Sequence, residues 1–161
     1  MFARPFIDSI DFAKNGGEMC GEIPLDQLPR LKDVLARTVG GLAYKLSGSC
    51  ANDQYMLMLT LQGECRLSCQ RCLGELVYPV NTVSHFRLLP AERLDEVNET
   101  DGVDAIEAVQ QLDVLALIED EVLLGLPFAP RHEEGICSPA INGLQQSVNP
   151  FAVLAGLKKK Q

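Results

Sequence analysis

The cysteines carry the clearest chemical potential in this sequence. The 161-residue chain has six of them: Cys20, Cys50, Cys65, Cys69, Cys72 and Cys137. Cys69 and Cys72 form a Cys-x-x-Cys pair, with Gly63 before it and Gly74 after it, between two segments patterned as strands. A tight turn at a strand junction can direct two thiolates toward one ion while backbone amides hydrogen-bond the sulfurs. The pair therefore predicts half of a tetrahedral zinc knuckle.

The second half of such a site must come from elsewhere in the chain. His132 and Cys137, spaced His-x4-Cys, lie in a polar segment far downstream. We interpret Cys69, Cys72, His132 and Cys137 as a structural zinc site, with Cys65 as an alternative to His132. Two other interpretations stay open, namely reduced turn cysteines without a ligand and a redox pair. Redox pairs usually open a helix in a strand–helix unit, whereas strands flank this pair.

No familiar catalytic pattern occurs in the sequence. It has two histidines, no Gly-x-Ser-x-Gly or His-Glu-x-x-His motif, and no phosphate-binding glycine loop. His85 falls in a predicted strand, where a structural role is expected. The sequence therefore predicts no catalytic residue and a protein that is not an enzyme. The alternative is a zinc-dependent or thiol-redox enzyme, which requires an open ligand position or a low-pKa thiol.

Apolar and polar residues alternate through the first half of the chain, which predicts a β-sheet. Leu57, Leu59 and Leu61, for example, are separated by residues that belong to the opposite face. Because proline cannot donate a ladder hydrogen bond, Pro79 indicates an edge position or a bulge. The predicted strands lie within 2–12 and at 18–23, 42–46, 55–62 and 76–88, with a turn over 47–53.

Helical spacing of apolar residues predicts two helices. One covers about 25–37 and holds Pro29 in its first turn, where proline is tolerated. The other covers 113–126, with Asp113 as its N-cap and Pro127 after it. Its acidic residues at 119–121 are expected to face water or a partner. The predicted fold class is α+β: an antiparallel sheet, barrel-like or sandwich-like, with two to three helices and a cysteine knuckle at a strand junction.

One domain is expected over residues 1–148, because the chain length is typical of a single domain. Six acidic residues and no basic residue occur between Asp95 and Glu107. They predict an exposed acidic loop near 91–104, interpreted as a solvated linker or, alternatively, as a docking surface for basic partners.

Residues 149–161 are predicted as a separate short helix or docking tail. Asn149 suits the N-cap, Pro150 the first helical position, and the final lysines the negative end of the helix dipole. A helix this short needs support for its apolar face, either from the protein's own core or from a partner's groove. The preceding polar segment could act as a tether, which favours the partner. The predicted partner-binding residues are Phe151, Leu154, Lys158, Lys159 and Lys160.

The formal net charge is -8, from 22 acidic and 14 basic residues. Since nucleic-acid binders present basic surfaces to phosphates, this charge favours basic protein partners, with Arg66, Arg71 or the tail lysines as local basic spots. The sequence shows no signal peptide and no apolar run long enough to span a membrane. The protein is therefore expected to be cytoplasmic and to have no membrane partner.

Four separated stretches together resemble the YceD family over about the last hundred residues, and the first sixty resemble it only in outline. The stretches are Cys-Gln-Arg-Cys at 69–72, residues 113–127 with Ile-Glu-Asp-Glu-Val at 118–122, His132 with Cys137, and Asn-Pro-Phe-Ala-Val-Leu-Ala at 149–155 followed by lysines. The resemblance implies a non-enzymatic role in the synthesis, processing or stability of large-subunit ribosomal RNA. It implies that RNA or pre-ribosomal particles are partners, reached directly or through basic ribosomal proteins. His132 and Cys137 match the family pattern and Cys65 does not, which supports the composite zinc site.

Overall fold

Five strands form the central sheet of the computed structural model, which describes residues 4–96 and 102–137, and two further strands form a small separate sheet. In chain order the strands of both sheets are β1 (Phe6–Ile7), β2 (Glu18–Pro24), β3 (Gly41–Ala51), β4 (Gln54–Ser68), β5 (Glu75–Leu89), β6 (Asp104–Glu107) and β7 (Leu112–Asp113). The helices are α1 (Ser9–Lys14), α2 (Pro29–Lys32) and α3 (Val114–Gly125), with 3₁₀ turns at Leu25–Gln27 and Ala91–Glu96. This arrangement confirms the predicted α+β class.

The central sheet has the order β2-β3-β4-β5-β6, and β1 pairs separately with β7. The pairings from β2 to β5 are antiparallel, whereas β6 joins β5 in parallel. No described strand connects β6 back to β2, so the sheet is open and does not close into a barrel. No helix in the described part of the chain is long and apolar enough to cross a membrane.

The β3–β4 hairpin is tighter than the predicted turn over 47–53. Asn52 and Asp53 alone form the loop, both with positive φ (51° and 59°), as a two-residue hairpin with a type I′ turn requires. Ser47 and Ser49 face the side of the sheet away from the core, opposite Met58 and Met56, and stay within the ladder. Polar residues there mark the solvent face of a strand, so the prediction of a long turn was wrong.

The core lies on one face of the sheet, against the helices. The buried sheet residues alternate along the strands: Ile23, Leu42, Leu46, Leu57, Leu59, Leu61, Cys65, Leu67, Val80, Phe86 and Leu88. Pro79 belongs to the opposite, exposed face, and β6 pairs only with residues 86–89 of β5. Glu64 of β4 pairs with Pro79 on one side, and no described strand pairs with β5 beside Pro79 on the other side, which confirms the edge position predicted from the proline.

The strand predicted within 2–12 is confirmed as the short strand β1, whereas the helix predicted over 25–37 was wrong. In the described part of the first segment, β1 is followed by α1, which Asp8 caps by accepting a hydrogen bond from the Asp11 amide at 3.0 Å. The segment 25–37 is a 3₁₀ turn followed by the single helical turn α2. Leu25, Leu28 and Leu31 are all fully buried there. A spacing of three residues places side chains on one buried side of consecutive tight turns, just as it does on one side of a longer helix. The spacing alone therefore could not distinguish the two structures.

The helix predicted at 113–126 is confirmed as α3, but one residue of its acidic face, Glu119, is buried. Asp113 caps it by accepting from the Leu115 and Ala116 amides at 3.0 and 3.2 Å. Glu119 is only 2% exposed, and its Oε1 accepts from the Arg30 and Leu31 amides of α2 at 2.7 and 3.0 Å. The expectation that residues 119–121 all face water or a partner was therefore wrong, because α2 presents unpaired N–H groups to Glu119.

The predicted acidic loop near 91–104 begins with the 3₁₀ turn at Ala91–Glu96 and ends where β6 starts. Residues 97–101 lie outside the described part of the chain. The predicted domain boundary at 148 also falls beyond the described residues and stays a prediction.

Replacing Gly48 by alanine is expected to lower the free energy of unfolding by about 1–3 kcal/mol, because the added Cβ overpacks the contact between β3 and α1. That Cβ would lie 2.7 Å from both the Ala13 Cα and the Phe12 carbonyl oxygen, which are backbone atoms. Urea denaturation measures the change. Gly125→Ala is the control, since its Cβ meets only Thr82 Oγ1 at 3.9 Å. Equal stabilities of the two variants would contradict close packing of α1 on Gly48.

Candidate metal centre

The turn between β4 and β5 places the first two cysteines. The Cys69 amide donates to the Gly74 carbonyl at 2.9 Å, and the Leu73 amide donates to the Cys69 carbonyl at 2.9 Å. Leu73 takes a left-handed conformation, with φ at 59°, which lets the chain reverse before β5 begins. These bonds hold Cys69 and Cys72 at the end of two long paired strands, on a rigid base.

The chain after α3 returns to this turn and supplies the other half of the cluster. The Gln70 amide donates to the Pro130 carbonyl at 2.8 Å, which fixes the returning segment beside the turn. His132 Nε2 lies 2.9 Å from the Glu75 carbonyl oxygen, and Cys137 follows five residues later. The fold therefore brings together the two halves that are separated in sequence.

Three distances between the donor atoms match those of a tetrahedral site. Cys69 Sγ lies 3.7 Å from Cys137 Sγ, and His132 Nδ1 lies 3.4 Å from Cys72 Sγ and 3.6 Å from Cys137 Sγ. All four donor atoms lie within 4.8 Å of one another. Tetrahedral zinc with bonds of about 2.3 Å to sulfur and 2.0–2.1 Å to nitrogen separates two sulfurs by about 3.8 Å, and a sulfur from a nitrogen by about 3.6 Å. The cluster could therefore hold a metal ion.

The hydrogen bond from His132 to the Glu75 carbonyl determines which ring nitrogen carries the proton and which one is free to bind a metal ion. The Glu75 carbonyl can only accept, so the Nε2 at 2.9 Å from it carries the proton. The neutral ring then presents the lone pair of Nδ1 to the three cysteines. A backbone carbonyl that orients a histidine in this way is common around protein-bound metals.

The surroundings of the cluster favour thiolates at Cys69 and Cys137. Burial raises the pKa of Cys69, but hydrogen bonds from the backbone at Cys72, His132 and Arg71 outweigh it and lower the pKa to about 5. Burial also acts on Cys137, where hydrogen bonds from Arg71 and His132 outweigh it and lower the pKa. Both groups therefore favour the deprotonated form that binds metal ions.

The other two members of the cluster hold protons more tightly while no cation is present. The Gly74 amide lowers the pKa of Cys72, but burial and the neighbouring sulfurs of Cys137 and Cys69 outweigh it, so the pKa is raised. Hydrogen bonding to Cys137 and to the Glu75 carbonyl raises the pKa of His132. The neighbouring sulfurs contribute to both shifts, and a divalent cation at the centre would offset their negative charge.

Arg71 joins the two halves of the cluster from outside. Its Nε donates to Cys137 Sγ at 3.0 Å, and its Nη2 donates to the Glu133 carbonyl at 3.3 Å. Sequence reasoning listed Arg71 only as a basic spot and missed this contact. It also missed the Glu75 carbonyl that orients His132, because a backbone acceptor leaves no signature in the sequence.

The remaining cysteines lie outside the cluster. Cys65 is fully buried within β4, where burial raises its pKa to about 11, so it does not replace His132. Cys20 and Cys50 are exposed on β2 and β3. The predicted partner-binding residues Phe151, Leu154, Lys158, Lys159 and Lys160 lie outside the described residues.

Four protein donors complete a tetrahedral shell and leave no coordination position for water or substrate. Such closed sites serve structure, whereas catalytic zinc sites keep one position open. Cys69, whose pKa is lowered to about 5, is fully buried and so has no access to a substrate. The geometry therefore fits a structural centre.

Comparisons with known proteins agree with the motifs of the chain. The family model for large ribosomal RNA subunit accumulation protein YceD matches residues 57–158, a range that includes both halves of the cluster. The Haemophilus influenzae protein of that name is 26% identical over 167 aligned positions, which cover 96% of this chain and 95% of the relative. The search of solved structures finds no match. With a match across more than half of its length, the chain belongs to the YceD family.

Proposed function

We propose that this protein is a non-enzymatic factor that supports the accumulation of large-subunit ribosomal RNA during ribosome assembly. The observation that carries the proposal is the family match over residues 57–158, together with a relative of the same name aligned over 96% of the chain. The role covers synthesis, processing or stability of the RNA, and the cytoplasm is its site of action.

The Cys69, Cys72, His132 and Cys137 cluster is the structural zinc site in this proposal. The 3.4–3.7 Å contacts between donor atoms match a zinc shell of three sulfurs and one nitrogen. Bound zinc would join the β4–β5 turn to the segment after α3 and so hold the C-terminal half of the domain in place. The metal thereby supports the shape of the protein, and its closed shell supports a non-enzymatic role.

Basic ribosomal proteins are the partners that the charge of the chain supports best. With a net charge of -8, the chain is repelled on average by RNA phosphates and attracted to basic proteins. We place its contact with the pre-ribosomal particle at such proteins, with Arg66 and Arg71 near the cluster as a local basic surface for RNA.

A strain that lacks the gene is expected to contain less mature large-subunit RNA relative to small-subunit RNA. The wild-type gene should restore the ratio, because the protein supports the large subunit specifically. Quantification of the two mature RNAs in total RNA, under normal and cold growth, measures the effect. The control is a strain that lacks an unrelated gene of similar expression. An unaltered ratio in both conditions would contradict the proposal.

A further inference from the structure

An apolar groove of about 400 Å³ lies between α3 and the β5–β6 side of the sheet. Leu124 is 81% exposed although it belongs to the helix that packs on the core. The apolar walls of the groove are Phe86, Ile106, Leu117, Leu123 and Leu124. An exposed leucine beside partly buried apolar neighbours is a surface that another apolar segment can cover.

Three carboxylates belong to the lining of this groove: Asp104, Asp120 and Glu121. Asp104 and Asp120 are exposed. Asp120 also pairs with Arg30 Nη2 at 2.6 Å, and Glu121 accepts a hydrogen bond from Ser84. Among the described lining residues, these three carboxylates outnumber Arg30, the one arginine paired with them, so this lining is net negative. The groove therefore favours an occupant with apolar anchors and positive charge beside them.

We infer that the occupant is the chain's own C-terminal segment, residues 149–160. Phe151, Leu154 and Leu157 are spaced to share one helical face, and three lysines at 158–160 follow directly. This order of apolar anchors and positive charges complements an apolar groove with acidic residues in its lining. The sequence left the tail a choice between its own core and a partner's groove, and the structure supplies a matching groove on the same chain.

The chain is long enough to reach. The described residues end at Cys137, which contacts His132, and His132 contacts the Glu75 carbonyl. Residues 138–148 give eleven linking residues that can span about 36–40 Å. Tyr78 donates to the Gly125 carbonyl at 3.2 Å, so the end of α3 lies only three strand residues, or about 10 Å, from Glu75. Even Phe86, at the other side of the groove, is about 36 Å along β5.

Tethering favours this occupant over a separate protein. A short covalent connection gives its attached segment an effective concentration in the millimolar range, so a groove on the same chain is filled even when the intrinsic affinity is modest. The inference stands independently of the proposed role in RNA accumulation, since it concerns contacts within one molecule.

Zero-length carbodiimide cross-linking of the full-length protein tests the inference, because it joins lysine amines to carboxylates that are in contact. A mixture of ¹⁵N-labelled and unlabelled protein distinguishes links within a chain from links between chains. The expected products join Lys158, Lys159 or Lys160 to the groove carboxylates within one chain. Lys45 and Glu18, 3.3 Å apart on neighbouring strands, form the internal positive control.

Leu124→Arg is expected to reduce the tail–groove links at least tenfold, because it places a positive charge on the apolar wall, repels the tail lysines and adds no carboxylate that carbodiimide could couple. Val83→Arg, at a residue 54% exposed on the opposite face of the sheet, is the matched control and should leave them unchanged. Absence of the links while Lys45 joins Glu18 would overturn the inference and return the tail to a partner's groove. Links between chains, or links that persist in Leu124→Arg, would overturn it as well.

Discussion

A Cys72→Ser variant is expected to lose its bound zinc, from about one ion per chain to near zero, and to melt roughly 10 °C lower. Cys72 Sγ lies 3.4 Å from His132 Nδ1 within the cluster, and serine replaces the thiolate with a much weaker ligand. Structural zinc contributes directly to folding stability. A loss of about 3–4 kcal/mol corresponds to a decrease of roughly 10 °C in Tm for a domain of this size. Elemental analysis and thermal melting followed by circular dichroism measure both effects.

A chelator separates the role of the metal from simple packing. Wild-type protein in chelator should melt near the temperature of the variant, and the variant itself should not change. The matched controls are Cys20→Ser and Cys50→Ser, at exposed cysteines outside the cluster, which should retain zinc and Tm. Wild-type protein that contains no zinc and melts identically with and without chelator would disprove the metal site.

The sheet could be predicted because its pattern is local. Leu57, Leu59 and Leu61 show the period of two directly, and each is at most 1% exposed. The limits of the strands were less clear, since Ser47 and Ser49 are outward-facing strand residues and resemble a turn in composition. Helix α1, with six residues, is too short for a helical period to be recognised.

The types of the cluster residues could also be predicted, but the forces that bring them together could not. Cys-x-x-Cys and His-x4-Cys indicate metal chemistry by residue type and spacing alone. The contact between the two halves depends on the Pro130 carbonyl, which accepts from Gln70, and on the Glu75 carbonyl, which accepts from His132. Every residue has a carbonyl group, so neither bond is visible in the sequence.

Glu119 shows the opposite failure, in which residue type misled. Acidic residues are rarely buried, and three in succession indicate a solvated helix face. Glu119 is nevertheless buried, because α2 is a single helical turn with free N–H groups at its start, and the carboxylate satisfies two of them. Its position depends on a distant segment, so local pattern alone could not predict it.

Replacing Glu119 by alanine is expected to lower the free energy of unfolding by about 2–4 kcal/mol. The variant leaves the Arg30 and Leu31 amides without their acceptor, and each buried, unsatisfied N–H costs about 1–3 kcal/mol. It also removes the 3.1 Å contact from Arg30 Nε to Oε2, which contributes less because the Arg30 side chain is half exposed. Urea denaturation at neutral pH measures the loss, and the midpoint of thermal unfolding should fall by roughly 5–15 °C.

Asp120→Ala and Glu119→Gln distinguish the buried acceptor from the surface charge. Asp120 pairs with Arg30 at 2.6 Å, but both side chains are about half exposed, so its loss should change stability by about 0–1 kcal/mol. Glu119→Gln keeps a carbonyl oxygen that can accept from the two amides, and it should retain about half of the stability that alanine loses, because a neutral acceptor forms weaker bonds. If Glu119→Ala were no more harmful than Asp120→Ala, the hydrogen bonds to the start of α2 would not contribute to stability. The acidic residues at 119–121 would then contribute to stability only as surface charges, as their composition alone suggests.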